Sequence, residues 1–296
     1  MPSSLLSTLS DLASHHFLKH SGPGMRLASP MPGLNLIQSH ETSRFEATIY
    51  DPVICLILQG RKETSMAGKS VEFGAGESLI VSHSLPVESR IVEASHDRPY
   101  RAMILSIDTG LLRTLSHELD LTISNDRLAR SLDVEATEEA LISAMTRYLA
   151  LANKSIETKI MAPLILKEIH FRLLMAPHGN MLRKLLEQNS YASQISRSIL
   201  QITENFRTPL SVSSLAKENG MSESTFYKRF KQVTATTPLQ YQKEIRLIEA
   251  QRKLRDGIHS VSSVAFDVGY ESPTQFSREY SRKFGKTPRT EFLVAE

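Results

Sequence analysis

Residues 211–230 read SVSSLAKENGMSESTFYKRF, and residues 260–280 repeat the pattern as SVSSVAFDVGYESPTQFSREY. Each copy has a short run with helical apolar spacing, a glycine, a serine, and a second helical run with two aromatic residues four positions apart. The serines, Ser222 and Ser272, are 50 residues apart. This duplication predicts two helix-turn-helix units in the last third of the chain.

The first copy carries the residues that such a unit requires. Val212, Leu215 and Ala216 recur at helical spacing and predict one buried stripe. Gly220 can adopt the left-handed conformation that ends a helix, and Ser222 can then cap the next helix by accepting a backbone N–H bond.

The second helix of this copy predicts a DNA-facing surface. Phe226 and Phe230 must face the core, so the opposite side of the helix turns outward. That side is polar and cationic and suits a major groove roughly 12 Å wide. Its candidate DNA contacts are Ser224, Thr225, Tyr227, Lys228 and Lys231. We expect Lys231 mainly to hold phosphates, whereas Tyr227 fits a DNA contact and a solvated flank equally well.

The second copy predicts the same geometry with different chemistry. Phe276 and Tyr280 point inward, and the candidate DNA contacts are Thr274, Gln275, Arg278 and Arg282. Arg278 can bind guanine through two hydrogen bonds and Gln275 can bind adenine, each pair discriminating by ~1–3 kcal/mol. Arg282 is expected to hold phosphates.

Between the copies, Leu239–Asp256 has helical spacing with apolar residues on two opposite sides. An isolated surface helix would be apolar on one side only, so this helix is expected to lie between two small bundles. A single helix–glycine–helix segment would more often be ordinary packing. The duplication, the linking helix and the cationic outward faces together favour a DNA-binding domain.

Composition is consistent with this interpretation. Residues 191–296 hold 16 Lys and Arg against 11 Asp and Glu, although the whole chain has a net charge of only +3. The single cysteine, Cys55, excludes internal disulfides and multi-cysteine metal sites. No run approaches the ~18 apolar residues of a membrane span, and the first residues lack the basic flank of a signal peptide. We therefore expect a cytoplasmic protein with no membrane partner.

The spacing of apolar residues in the N-terminal part changes near residue 108. Residues 5–20 predict a leading helix, and six short β-like runs follow before residue 108, which predicts a small antiparallel barrel or sandwich. Residues 109–190 then have helical spacing. The apolar helix Lys159–Met175 in that region could form a homodimer or pack onto its own barrel. The predicted domains are therefore a leading helix with a β-barrel at 1–108, a helical connector or dimerisation segment at 109–190, and an all-α DNA-binding domain at 191–296.

The C-terminal hundred residues closely resemble the AraC/XylS family of bacterial transcriptional regulators. Residues 265–288, AFDVGYESPTQFSREYSRKFGKTP, nearly reproduce the family signature. In the first copy, Lys228 stands where the family usually has arginine, which implies a weaker contact. The resemblance implies seven helices, two helix-turn-helix units, and binding of double-stranded promoter DNA that recruits RNA polymerase.

The preceding region resembles the cupin-like regulatory domain of one AraC subgroup, through YDPVICLILQG at 50–60 and GESLIVS at 76–82. Such a barrel can hold one small effector in its mouth. The candidate polar contacts are Tyr50, Gln59, Arg61 and His83, although a residue of this kind, taken singly, is more often an ordinary surface or turn residue.

The sequence favours no catalytic site, cofactor or metal. Cupin-like metal sites have a His-x-His pair with a nearby glutamate, and here His83 is followed by serine and leucine. The leading hypothesis is thus an effector-controlled, sequence-specific transcription regulator that reads two adjacent major-groove segments. The alternatives are a cupin-type metalloenzyme with an appended DNA-binding domain and an effector-independent regulator controlled by its abundance.

Overall fold

The computed structural model describes residues 4–17, 24–119, 131–187, 190–257 and 260–293. Residues 18–20, the end of the predicted leading helix, lie outside that set. The chain divides into two compact units: residues 1–46 and 50–193 form the N-terminal unit, and residues 194–296 with the short segment 47–49 form the C-terminal unit. The strands lie in the N-terminal part of the chain and the C-terminal part is helical, as expected. None of the helices in the described ranges is both long and apolar enough to cross a membrane.

Two antiparallel sheets build the N-terminal unit. The strands are β1 (Arg26–Met31), β2 (Leu34–Ser39), β3 (Glu46–Tyr50), β4 (Val53–Gln59), β5 (Arg61–Met66), β6 (Lys69–Gly74), β7 (Glu77–Val81), β8 (Leu85–Glu93), β9 (Tyr100–Ser106) and β10 (Leu132–Ala136). The six-stranded sheet has the order β1-β2-β9-β4-β7-β10, and the four-stranded sheet has the order β3-β8-β5-β6. The six predicted β-like runs, at 33–38, 53–58, 70–73, 78–81, 87–92 and 101–107, correspond to β2, β4, β6, β7, β8 and β9, and the structure adds β1, β3, β5 and β10.

One hydrophobic core, here called the sheet interior, contains residues of both sheets. In strand β4, Cys55 and Ile57 point into the sheet interior, and the alternate residues Ile54 and Leu56 point to the opposite face of the sheet. Because β4 is buried on both faces, its sequence is a nearly continuous apolar run. The sheet interior consists of Cys55, Ile57, Phe73, Leu79, Val81, Leu85, Val87, Ile91, Tyr100 and Ala102.

Helices cover the opposite face of the six-stranded sheet. A second core joins that face to residues of these helices, such as Leu9, Leu112, Met145 and Ile169. Each fully buried apolar side chain contributes roughly 1.5–3 kcal/mol to this packing. The helices are α1 (Ser4–Ser14), α2 (Thr109–Leu119), α3 (Glu139–Leu149), α4 (Ser155–Met175) and α5 (Asn180–Leu186).

The structure adds a strand to residues 109–190, the segment that the sequence predicts as a helical connector. Strand β10, Leu132–Ala136, pairs antiparallel with β7 and extends the six-stranded sheet. Its alternating Leu132-Asp-Val134-Glu-Ala pattern has the two-residue period of a strand, but five residues are too few to stand out between helical segments. Helices α3 and α4 share the core with the sheet, so this segment completes the N-terminal fold.

The C-terminal unit contains seven helices in its described ranges, the number that the family resemblance implies. They are α6 (Tyr191–Glu204), α7 (Val212–Glu218), α8 (Glu223–Thr234), α9 (Pro238–Arg255), α10 (Val261–Asp267), α11 (Pro273–Phe284) and α12 (Pro288–Leu293). Helices α7 and α8 are the first predicted pair, and α10 and α11 are the second.

Candidate nucleic-acid interface

The first helix-turn-helix unit folds locally as its capping residues predict. Ser211 Oγ caps α7 by accepting from Ser214 N at 3.3 Å. Gly220 makes the turn with φ +65°, after which Ser222 Oγ caps α8 by accepting from Thr225 N at 3.3 Å. These bonds satisfy backbone donors that a helix start leaves free, and they fix where α8 begins.

The outward face of α8 carries the predicted contacts. Phe226 and Phe230 are fully buried on the inward side, their ring centroids 5.8 Å apart. Tyr227 is half-buried, whereas the other four candidates are exposed. Within the described ranges, neither Lys228 nor Lys231 is in an ion pair, so both ammonium groups are available to phosphates or base edges. The four exposed candidates are Ser224, Thr225, Lys228 and Lys231.

The second unit has the same local construction. Ser260 Oγ accepts from Ser263 N at 3.2 Å to cap α10, and Gly269 makes the turn with φ +90°. Ser272 Oγ then accepts from Gln275 N at 3.3 Å to cap α11. Phe276 and Tyr280 are fully buried on the inward side of α11.

The outward face of α11 is richer in arginine than that of α8. All four predicted contacts, Thr274, Gln275, Arg278 and Arg282, are exposed. Gln275 Nε2 donates to Glu279 Oε1 at 3.3 Å. Neither Arg278 nor Arg282 has an ion-pair partner in the described part of the chain, so both guanidinium groups can bind an external anion or guanine.

Helix α9 joins the two helix-turn-helix units, as the apolar residues on its two opposite sides predict. On one side, Tyr241 packs edge-on against Phe230 of the first unit at 5.6 Å between ring centroids. On the other side, Leu247, Ala250 and Leu254 belong to the core of the second unit. A helix held by two cores has little freedom to rotate, so it fixes the spacing of the two recognition helices.

Polar contacts also join α9 to the loop after α6. Arg246 Nε donates to the Phe206 carbonyl at 2.7 Å, and Gln242 Nε2 donates to the Thr208 carbonyl at 2.7 Å. This loop lies against the turn of the second unit, because a Cβ placed on Gly269 would be 2.1 Å from the Arg207 carbonyl oxygen. The loop therefore packs against both α9 and the second turn.

A buried carboxylate in α12 joins that helix to α9 and α11. Glu291 is 3% exposed and accepts from Arg255 Nε at 2.7 Å and from the Tyr280 hydroxyl at 3.1 Å. Lys286 Nζ lies 2.7 Å from the same carboxylate. Burial acts to raise the pKa of Glu291, but hydrogen bonds from Arg255 and Lys286 outweigh it and lower that pKa.

Sequence reasoning missed these supporting residues. Arg246 lies 40 residues from Phe206 and Glu291 lies 36 residues from Arg255 in sequence, and no local spacing connects either pair. The one available signal was the apolar linking helix, in which an arginine among buried positions must find acceptors.

The structure separates the four candidate effector contacts in the N-terminal unit. Tyr50 is half-buried beside the sheet interior, and its hydroxyl donates to Ser89 Oγ at 3.2 Å. Gln59 Nε2 donates to the Pro99 carbonyl at 2.7 Å. Arg61 is exposed and pairs with Glu72 at 3.3 Å, which places it outside the sheet interior.

His83 is the fourth candidate, and it is buried. One ring nitrogen, Nδ1, lies 3.1 Å from Ser82 Oγ. The other, Nε2, has no hydrogen-bond partner among the described residues. Burial lowers the pKa of His83 to about 3, so the ring is neutral at physiological pH. Within the described ranges, no three His, Cys, Asp or Glu side chains cluster as a metal site would require.

Two family profiles match the chain. A profile described as "AraC-type transcriptional regulator N-terminus" matches residues 30–181, and one described as "Helix-turn-helix domain" matches residues 215–292. The first covers about half of the chain by itself, and the second covers most of the first helix-turn-helix unit and all of the second.

Individual relatives agree with the profiles. Thermoregulatory protein LcrF of Yersinia pestis is 22% identical over 237 residues, 79% of this chain and 86% of LcrF. The transcriptional activator RhaS of Escherichia fergusonii is 31% identical over 124 residues, 42% of this chain and 44% of RhaS. A crystal structure of unsaturated fatty acid bound wild-type ToxT from Vibrio cholerae has a similar fold, with a TM-score of 0.55 and 11% identity over 93% of this chain and 97% of that one. The chain therefore belongs to the AraC/XylS family of DNA-binding transcriptional regulators.

Proposed function

We propose that this regulator binds promoter DNA by reading two adjacent major-groove segments, one with α11 and one with α8. The proposal is based on the two capped helices α8 and α11, whose outward faces present cations that are in no ion pair among the described residues. Base reading is assigned to Thr274, Gln275 and Arg278 in one segment and to Ser224, Thr225, Tyr227 and Lys228 in the other. Lys231 and Arg282 hold phosphates.

The N-terminal unit is proposed to bind a small-molecule effector. Support comes from the ToxT structure, which shares the fold and has an unsaturated fatty acid bound. Among the candidate contacts, Tyr50 lies beside the sheet interior and His83 is buried. Effector binding would bias how the recognition helices are presented to DNA. We assign the chain no catalytic role, because the relatives that it matches are transcriptional regulators.

A homodimer through α4 is also proposed. Ile156, Ile160 and Leu164 are 83%, 67% and 59% exposed, and they follow one another four residues apart along the helix. Phe171 and Met175 continue the stripe at 36% and 53% exposure. A long apolar stripe on one helix is self-complementary, as a two-fold symmetric interface requires. RNA polymerase is the further partner, since several relatives are named as transcriptional activators.

A footprint of the full-length protein on DNA flanking its own gene, at two salt concentrations, tests the proposal. We expect two protected segments about one helical turn apart, ~34–36 Å, with protection weakening as salt rises. If no protection appears, the experiment is repeated with cell extract to supply an effector. No protection in either condition would contradict the proposed function.

A further inference from the structure

Glu279 lies on α11 directly beside Gln275, one of the proposed base-reading residues. The two are four residues apart, which places their side chains on successive turns of one helix face. Gln275 Nε2 donates to Glu279 Oε1 at 3.3 Å. Gln275 is exposed, whereas the Glu279 side chain is only 15% exposed. A recessed carboxylate therefore holds an amide group that faces solvent.

Two residues outside α11 hold the Glu279 carboxylate. The Tyr270 hydroxyl, in the turn before α11, donates to Glu279 Oε2 at 2.8 Å. Lys243 Nζ, on α9, lies 3.3 Å from Glu279 Oε1. Each carboxylate oxygen thus has a partner on a different element, and these partners restrict rotation of the Glu279 side chain.

Tyr270 is itself held by the packing of the second unit. It is 6% exposed, and its ring packs edge-on against Phe276, with 5.3 Å between the ring centroids. The guanidinium carbon of Arg246 lies 5.9 Å from the centre of the Tyr270 ring. The hydroxyl that binds Glu279 is therefore carried by a ring with little freedom to move.

Glu279 stays ionised at neutral pH. Burial acts to raise its pKa, but hydrogen bonds from Tyr270 and Gln275 and the charge of Lys243 outweigh it, so the net shift of the pKa is downward. An ionised carboxylate has acceptors only. The nitrogen of the Gln275 amide must therefore face Glu279, because the amide oxygen would be repelled.

This contact determines which groups of the Gln275 amide remain for DNA. One of its two N–H groups is used by Glu279, so the second N–H and Oε1 are left. Adenine presents N6 as a donor and N7 as an acceptor in the major groove. The amide oxygen and the remaining N–H are the acceptor and the donor that adenine requires.

The equivalent positions of the first unit, 50 residues earlier, hold Thr225 and Arg229. Arginine has no acceptor, so α8 lacks a carboxylate at the position of Glu279. The pairing of a carboxylate with a base-reading amide at these positions is therefore a feature of the second unit.

We propose that Glu279 is a positioning residue, which sets the base preference of the second unit by holding the Gln275 amide with its oxygen available to adenine N6. An amide without such a partner can turn over and present its nitrogen in place of its oxygen. Fixing one orientation before DNA binds also reduces the side-chain entropy lost on binding. This inference rests on the proposed assignment of Gln275 to a base and adds the residue that orients it.

Affinities of the full-length protein for duplexes that differ by single base pairs test the inference. Gln275→Ala first identifies the base pair that Gln275 reads, as the position where preference is lost. Wild type should prefer adenine there by at least about fivefold.

Glu279→Gln keeps the size of the side chain but can donate as well as accept, so both amide orientations become possible. It should reduce the adenine preference at least about threefold and leave the preference at the base pair read by Arg278 within about twofold. A general loosening of α11 would change both preferences. Glu279→Ala removes the acceptor and should give the same loss, which keeps the test available if Glu279→Gln does not fold.

Glu271→Gln is the matched control for charge. Glu271 is exposed in the turn before α11, so both glutamine variants remove one negative charge from the second unit. Either change should strengthen binding to all sites through reduced repulsion of phosphates. Only Glu279→Gln should alter the adenine preference, and it should have no further effect there once Gln275 is alanine.

The proposal is overturned if Glu279→Gln leaves the adenine preference unchanged, or alters all sites alike. An equal effect with and without Gln275 would also overturn it, since no amide would then be involved. The Gln275→Ala measurement separates these failures from failure of the proposed function. If Gln275→Ala removes preference at no base pair, both the assignment of Gln275 and this inference are wrong, whereas a loss confined to Gln275→Ala leaves the assignment standing.

Discussion

The two helix-turn-helix units have the same elements and the same serine caps, but their turns differ. At Gly220, a Cβ would meet no atom within 4 Å, whereas at Gly269 it would be 2.1 Å from the Arg207 carbonyl oxygen. The first turn needs glycine only for its positive φ, and the second needs it for backbone contact as well. The glycine of the first turn therefore faces open space, whereas the second turn is packed against the loop after α6.

The recognition faces differ in a related way. Helix α8 presents lysines and small hydroxyl groups, while α11 presents arginines and glutamine. Arginine has a planar fork of donors suited to guanine, whereas lysine is a flexible point charge. The unit whose turn is packed against the loop after α6 thus carries the groups with the stricter geometry. On the proposed assignment, base specificity therefore belongs mainly to the second unit, and the first is suited to adaptable contacts.

The largest expected effect comes from alanine at the two turn glycines. Gly269→Ala should destabilise the second unit by about 3 kcal/mol or more, because the methyl group adds a backbone clash to an unfavourable φ. Gly220→Ala should cost only ~1 kcal/mol, from φ alone. Hydrogen exchange of the full-length protein measures both, by amide protection in α10–α11 and in α7–α8. Equal losses of protection would remove the proposed difference between the turns.

Glu291→Gln should destabilise the second unit by about 2 kcal/mol at neutral pH, because Arg255 and Lys286 lose their buried carboxylate. The matched control is Glu249→Gln, which removes a partly exposed pair with Arg252 and should cost under about 0.5 kcal/mol. Protection of α11 and α12 against hydrogen exchange provides the measurement.

The same carboxylate predicts a pH dependence. The pKa of Glu291 is lower in the folded protein than its ordinary value of 4.5, so its stabilising effect is complete above 4.5 and is lost as pH falls through the folded value. Wild-type α11–α12 should therefore lose protection below about pH 4.5 more steeply than Glu291→Gln does. Parallel curves for the two proteins would show that Glu291 is not the group responsible.

Arg278→Ala should relax discrimination at one base pair by ~1–3 kcal/mol, whereas Lys228→Ala should relax it less, because lysine lacks the bidentate fork. Affinities for DNA sites that differ by single base pairs give both values. Arg282→Ala is the control for a phosphate contact and should weaken all sites alike while reducing the salt slope by ~1. If Arg278→Ala weakens all sites equally, its assignment to a base is wrong.

The smallest expected effect concerns the ends of the recognition helices. Ala235 and Gly285 both follow their helix in the left-handed conformation, at φ 60° and 67°. Ala235→Gly should therefore stabilise the first unit by ~0.5–1 kcal/mol, and Gly285→Ala should destabilise the second by a similar amount. Thermal unfolding of each variant against wild type should show shifts of opposite sign, and shifts of the same sign would contradict the comparison.

Local patterns explain why the helical domain was predictable. Serine caps, positive-φ glycines and apolar stripes act over a few residues, so they located α7, α8, α10 and α11 from sequence. The contacts that hold these units together are not local. Arg246 reaches the Phe206 carbonyl and Glu291 reaches Arg255 across many intervening residues, and only the fold brings them together.

The N-terminal unit was less predictable for the same reason. The six apolar runs identified strands, but polar β5 and the short β10 have no pattern strong enough to distinguish them from loops. The sequence also pointed to Arg61, because it follows an apolar strand. The direction of a side chain in a strand depends on register, and the structure shows that Arg61 and its neighbour Lys62 point to opposite faces of β5.

Binding-site selection from a random pool of duplex DNA, followed by footprinting of the selected sites, tests whether α8 and α11 read two separate segments of the duplex. We predict two protected major-groove segments on one face of the duplex, about 34–36 Å apart, and loss of base preference in one segment only when Arg278 is replaced by alanine. A single protected segment, or loss of preference in both segments together, would contradict the account of two separate recognition helices.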